Sequence, residues 1–245
     1  MKENDHLTDE NVTTYLKMTE RQVNDYLAKM KASKADNTER TRWHRPLKYE
    51  QFEAMMKASA EMVMRQRGTY TDYVLDEVNR DIMTQLYYYF IGNQDKCRWN
   101  VDKGIFLYGK IGCGKTLLIT SYLKVVNMML GIIATTIHAK EIYPTIQNNG
   151  FKMLIQCPLF IDELGRESLE INEFGNKIRP IQDLFAMRYE SGARTFVTSN
   201  FSIETLEGKM DKNGVVAGYG KYVRTRMEEM MNIVEMPGEN RRPKY

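Results

Sequence analysis

A chain of 245 residues and 28.7 kDa is long enough for one substantial α/β core with a small appendage. Hydrophobic residues make up 42% and charged residues 27%, a globular composition that argues against long disorder, and a net charge of +3 neither demands nucleic acid nor excludes it. No run of about eighteen apolar residues occurs and the start MKENDHLTDE is too polar for a signal peptide, so the expected compartment is the cytoplasm with no membrane partner.

In chain order, residues 1–48 are polar, yet Val12, Leu16, Val23, Leu27 and Met30 recur at helical spacing and predict one amphipathic helix. The basic stretch KASKADNTERTRWHRP that follows loses this period and reads as a linker. Residues 1–48 are therefore expected to form a helical arm and linker suited to docking a partner, and residues 49–245 the main domain with leading helices. Helical patterns run through Phe52, Met56, Ala60 and Val63, and through Leu75, Val78, Ile82, Leu86 and Tyr89.

From Gly104 the texture changes to short β-rich runs separated by helical stretches, the alternation of a parallel sheet with crossover helices. The expected strands are GIFLY at 104–108, IIATTI at 132–137, PLFID at 158–162, RTFVTS at 194–199 and NIVEM at 232–236. Between the second and third, room is expected for one helix around Glu141 to Gln147. The predicted class is an α/β P-loop NTPase fold with a five-stranded parallel sheet flanked by helices and a small helical N-terminal region. Cys97, Cys113 and Cys157 fit neither a disulfide framework nor a zinc site, and seventeen methionines read as flexible core filler.

Residues 109–116, GKIGCGKT, match the phosphate-binding pattern GxxxxGK(S/T) between a buried strand and an amphipathic helix. The backbone of Gly109, Lys110, Ile111, Gly112, Cys113 and Gly114, continuing into Lys115, Thr116 and Leu117, is expected to cradle the phosphates of ATP at a helix N-terminus. Lys115 would contact the β and γ phosphates and Thr116 would offer its hydroxyl to Mg²⁺. PLFIDELG places Asp162 and Glu163 at the end of an apolar strand. Asp162 would then hold the Mg²⁺ shell and Glu163 would polarise water as a general base. Asn200, at the tip of the run RTFVTSN, reads either as a polar group facing the γ-phosphate or as a cap for the stretch from Ile203.

The run RYESGARTFVTSNFS at 188–202, after FIDELG and followed by YGKYVRTRMEEM at 219–230, resembles the DnaC/IstB branch of the AAA+ ATPases, over roughly residues 100–240. The resemblance implies a P-loop strand in a central place, Asn200 as a sensor of nucleotide state, little or no lid domain, and ATP hydrolysis dependent on oligomerisation. It puts at Arg226, with Arg224 as the alternative, an arginine that reaches a neighbouring subunit's ATP; the bland alternative is a helix-surface arginine paired with Glu228 or Glu229. It also implies a replicative helicase partner for the arm, single-stranded DNA as a ligand, and self-assembly into an oligomer or filament. A transposition helper of IstB type and a nucleotide-gated assembly module with little turnover are the alternatives. Two features depart from the pattern: the stretch from Ala139 to Cys157 is short for a DNA-lining insertion, and Tyr222 stands where relatives usually carry a basic residue.

Overall fold

The computed structural model describes residues 43–69, 72–173, 176–208 and 218–241. The chain divides into two compact units, Met1–His44 and Arg45–Tyr245. The amphipathic helix and most of the basic linker expected in the first unit lie outside the described residues. The second unit holds the sheet and its helices.

Two helices lead it. Helix α1, Tyr49–Gln66, buries Phe52, Met56, Ala60 and Val63, the stripe expected from their spacing. Helix α2, Glu77–Phe90, starts at Asp76 in a reciprocal cap. The Asp76 carboxylate accepts from the N–H groups of Val78 at 3.0 Å and Asn79 at 3.1 Å, and Asn79 Oδ1 accepts from the Asp76 N–H at 2.9 Å. Such a cap satisfies donors that the first turn otherwise leaves unpaired.

Strand β1, Gly104–Tyr108, then runs through the phosphate-binding motif into α3, Lys115–Leu130. Strand β2, Thr135–His138, leads through a 3₁₀ turn at Ala139–Glu141 into α4, Ile142–Asn149, and a one-turn α5, Lys152–Ile155. Strand β3, Leu159–Leu164, precedes a small antiparallel pair, β4 Ile171–Glu173 and β5 Asn176–Ile178. Helix α6, Pro180–Ser191, strand β6, Thr195–Ser199, helices α7, Ile203–Glu207, and α8, Gly220–Met230, and strand β7, Met231–Glu235, complete the described residues.

The five long strands form a parallel sheet in the order β2-β3-β6-β1-β7. Covered on both faces, its inner strands β1 and β6 are buried almost throughout instead of alternating, and β6 buries Thr195, Thr198 and Ser199 along with Phe196 and Val197. On one face Phe196 of β6 meets Tyr122 of α3 at a ring separation of 6.0 Å, Tyr122 meets Tyr89 at 5.9 Å, and Phe90 of α2 meets Phe52 of α1 at 5.5 Å. On the other, Phe106, Ile161 and Val197 pack with Ile181, Leu184 and Phe185 of α6 and with Val223 and Met227 of α8. Each fully buried side chain of this size contributes about 2 to 3 kcal/mol of transfer free energy.

Several sequence expectations are corrected. The P-loop strand is one place in from the β7 edge, and β6, which ends at Ser199 just before Asn200, takes the middle. Strand β2 begins only at Thr135, where its pairing with Leu159 begins, and Ile133 before it is exposed. The stretch after β2 holds two α-helices and not one. The β4–β5 pair escaped prediction because three residues per strand are too few to show a period. Of the cysteines, Cys97 and Cys113 are buried, Cys157 is exposed, and all are free thiols.

Candidate nucleotide site

A cavity of about 770 Å³ opens at the C-terminal ends of β1, β3 and β6, the end at which open parallel sheets bind ligands. Its floor is the motif. Gly112 and Gly114 have φ of +82° and +105°, values that side-chain-bearing residues rarely adopt, and they turn the chain back into the N-terminus of α3. Lys115, the first residue of that helix, is buried, and its ammonium donates to the carbonyls of Gly109 at 2.8 Å and Lys110 at 2.7 Å and to Asn200 Oδ1 at 3.0 Å. Burial pushes its pKa down. All three of these oxygens are neutral, so an anionic phosphate would supply the countercharge that they do not give this buried ammonium.

Thr116 Oγ1 donates to Asp162 Oδ1 at 2.7 Å, and Thr198 donates to the same oxygen at 2.5 Å. A hydroxyl and a carboxylate side by side are the hard oxygen donors that suit Mg²⁺, which keeps most of its shell as water and phosphate oxygens.

Asp162 and the next residue would point to opposite faces of a regular strand. Here both line the cavity, because Glu163 takes a left-handed conformation, φ +58°, at a bulge where the pairing of β3 with β6 shifts between Ile161 and Leu164. A non-glycine residue in that region costs on the order of 1 kcal/mol or more. Thr198 Oγ1 accepts from the Glu163 N–H at 3.1 Å and so holds the bend. Replacing Thr198 with valine removes this acceptor and the donor to Asp162 together; we expect a loss of about 1 to 2 kcal/mol in stability by urea denaturation, with the far-ultraviolet spectrum unchanged.

His138 and Arg166 both approach Oε2 of Glu163, at 3.3 and 3.4 Å. His138 stands beside Asp162 because β2 pairs with β3 in the register that puts the two residues opposite each other. Spacing along the sequence could not show this. Strand pairing could, and His138, Thr198 and Arg166 are among the site neighbours that the sequence reading missed.

Asn200 is not a helix cap. Ser202 caps α7, accepting from the Thr205 N–H, whereas Asn200 faces the cavity with its oxygen on Lys115. The far wall comes from the end of α1 and the segment before α2, with Met64, Arg67, Thr69, Tyr73 and Val74, and from Met236 after β7. Tyr73 is half-buried there, and desolvation pushes its hydroxyl up to about 12.

Of the expected site residues, those from Ile111 to Leu117 join Asp162, Glu163 and Asn200 in this one cavity. Gly109 and Lys110 contribute carbonyls to Lys115, while the ammonium of Lys110 faces outward to Glu239. Arg226 does not line the cavity; it lies on α8, its guanidinium carbon 3.4 Å from the centre of the Tyr222 ring and 5.2 Å from that of Tyr189. Its Nε is buried with no hydrogen-bond partner among the described residues. Arg224 instead forms ion pairs with Glu204, Glu207 and Glu228.

The structure superposes on that of DnaI with a TM-score of 0.51 at 17% identity, over 78% of this chain and 93% of the other. The chain shares its fold with DnaI. At such identity the likeness is one of fold, a five-stranded parallel sheet with helices on both faces. The DnaC helicase loader superposes with a TM-score of 0.49 at 21% identity, over 67% of this chain and 94% of that one. The replication initiator DnaA bound to AMPPCP and single-stranded DNA gives 0.47 at 17%, over 68% and 49%. No protein-family model and no curated protein sequence matches the chain. Among the described residues no helix is long and apolar enough to cross a membrane.

Proposed function

We propose that this chain is an ATPase of DNA replication, a helicase-loading factor of DnaC type that binds MgATP and hydrolyses it at interfaces between copies of itself. The observation that carries the chemistry is the convergence of Lys115, Thr116, Asp162, Glu163 and Asn200 on one cavity above a glycine-turned helix N-terminus. The replication process rests on the resemblance of the runs at 188–202 and 219–230 to the DnaC/IstB branch and on the fold shared with DnaI.

In this reading Lys115 and the backbone N–H groups of residues 112–116 hold the β and γ phosphates. Thr116 and Asp162 hold Mg²⁺, which would neutralise charge on the same phosphates. Glu163 accepts a proton from the attacking water. Asn200 spends its oxygen on Lys115, so its Nδ2 is the donor that would meet the γ-phosphate. Arg226 of a neighbouring copy stabilises the negative charge of the transition state from outside. The arm and linker of residues 1–48 would grip a replicative helicase, and the assembled ATPase domains would engage single-stranded DNA.

The test is ATP turnover per subunit as a function of protein concentration, with and without single-stranded DNA. Turnover is expected to rise with concentration. Glu163→Gln is expected to lower it by about 10²- to 10³-fold with nucleotide affinity retained. Tight nucleotide binding with no turnover at any concentration, with or without DNA, would instead make this a nucleotide-gated assembly module.

A further inference from the structure

Helix α8 is rooted by Tyr219, the residue before its first turn, whose ring is buried in the same core cluster as Leu164, Leu206 and Val223. Three bonds hold it. Its N–H donates to the Leu206 carbonyl of α7 at 2.8 Å, its carbonyl accepts from Nε2 of Gln182 on α6 at 2.8 Å, and its hydroxyl donates to Oε1 of Glu167. Burial, with the Glu167 carboxylate beside it, pushes the hydroxyl well above its usual range, so it remains a donor at neutral pH.

Glu167 is the other half of the link. Its Oε2 accepts from the N–H of Gly165, two residues past Glu163, at 3.0 Å. Gly165 has φ +97°, and a Cβ there would lie 2.7 Å from the Leu206 side chain and 2.8 Å from that of Phe201, so the exit of β3 lies close against α7. One carboxylate thus joins the exit of the strand that carries Asp162 and Glu163 to the root of the helix that carries Arg226, about two turns further on. Arg224 ties the same helix to α7 through Glu204 and Glu207. The Tyr219 hydroxyl ties it to the sheet.

We infer that Tyr219 is a positioning residue for ATP hydrolysis at the neighbouring copy: its hydroxyl, held by Glu167, fixes the root of α8 against the exit of β3 and so sets the reach of Arg226 across the interface. The inference rests on the reading of Arg226 as a group that acts between copies. Tyr219 does not line the cavity, so it acts through the arginine alone. A guanidinium that meets developing charge is sensitive to placement, since an error of about 1 Å can cost about 10²-fold in rate. With the hydroxyl removed, the ring still fills its place and both main-chain bonds remain; the helix stays folded but is no longer pinned to the strand.

The test is ATP turnover at saturating MgATP and high protein concentration, with nucleotide affinity by calorimetric titration, for the native full chain, Tyr219→Phe, Glu167→Gln and Glu167→Ala. Tyr219→Phe and Glu167→Ala are expected to lower turnover by about 10- to 10²-fold at native nucleotide affinity. Glu167→Gln is expected to keep most of it, because the amide oxygen can still accept from Gly165 while the amide nitrogen donates to the tyrosine oxygen. Equimolar mixtures then locate the defect. Tyr219→Phe retains its own Glu163, so turnover is expected to recover in part with Glu163→Gln, which supplies a well-placed Arg226, and not with Arg226→Ala, which supplies none. Any other pattern of recovery, native turnover in Tyr219→Phe, or a Glu167→Gln as slow as Glu167→Ala overturns the inference. The shared site itself depends on a separate mixture, Glu163→Gln with Arg226→Ala: without recovery there, that reading fails and this inference with it.

Discussion

Replacing Arg226 with alanine is expected to lower ATP turnover at high protein concentration by about 10³-fold, while nucleotide affinity stays at the native value. The expectation follows from what each of the two candidate arginines is doing. Arg224 is engaged with three carboxylates, from Glu204 and Glu207 of α7 and from Glu228 one turn along its own helix. Moving it would leave those acids facing one another, so it is a clamp between α7 and α8. Arg226 has no ion pair among the described residues and rests on the rings of Tyr222 and Tyr189. An aromatic face holds a guanidinium by cation–π attraction without consuming its hydrogen-bonding fork, and at a partly exposed site the contact is worth about 0.5 to 1 kcal/mol. That is enough to orient the side chain and too little to keep it from a phosphate.

Mixing supplies the control. Arg226→Ala retains Glu163, and Glu163→Gln retains Arg226. If the finger acts between copies, an equimolar mixture contains interfaces with both groups intact, and turnover is expected to recover in part. Arg224→Ala should act differently, through a lower midpoint of thermal unfolding. Native turnover in Arg226→Ala would return Arg226 to the status of a helix-surface residue and remove the argument for a shared site.

Much of this arrangement is legible in the sequence because it is contiguous. The cradle is eight consecutive residues between a strand and a helix, and Asp162 and Glu163 end an apolar run whose strand character is plain. Asn200 could be placed at a strand tip, but whether it capped the next helix or faced the cradle depended on Ser202, which takes the cap. What escaped was set by contacts between distant residues. His138 reaches Glu163 through strand register, the segment after β7 reaches Gly112 through Asn240 and Arg241, and the far wall includes Met64, Arg67, Tyr73 and Val74. The left-handed turn at Glu163 also has no local signature, since no glycine or asparagine marks it. Tyr222 was visible as a departure, and the structure gives that departure a physical meaning as the ring on which Arg226 lies.

At the opposite end of the sheet, replacing Arg188 with alanine is expected to cost about 3 to 5 kcal/mol of stability, the combined penalty of a cavity and of several buried carbonyls left without a donor. Arg188 belongs to the run RYE, yet it is wholly buried and lies nowhere on the cavity wall. From α6 its Nε donates to Thr195 Oγ1 at 2.9 Å, and its two terminal nitrogens donate to the carbonyls of Leu154, Cys157, Ala193 and Arg194. These carbonyls end α5 and lead into β3 and β6, so one planar group gathers the starts of the two strands that carry Asp162, Glu163 and Asn200. Burial pushes the guanidinium down to about 10, which leaves it cationic at neutral pH. Without it four carbonyls lose a donor in a region that excludes water, and lysine, with three donors on one nitrogen, cannot reach them all. Urea denaturation of Arg188→Ala and Arg188→Lys should therefore show both midpoints well below native, alanine the lower. In Arg188→Lys, nucleotide affinity measured below the transition should be unchanged, because the cradle lies at the other end of the strands. A loss under about 1 kcal/mol in Arg188→Ala would mean that water reaches these carbonyls and replaces the guanidinium. The starts of β3 and β6 would then be held by their apolar rows alone.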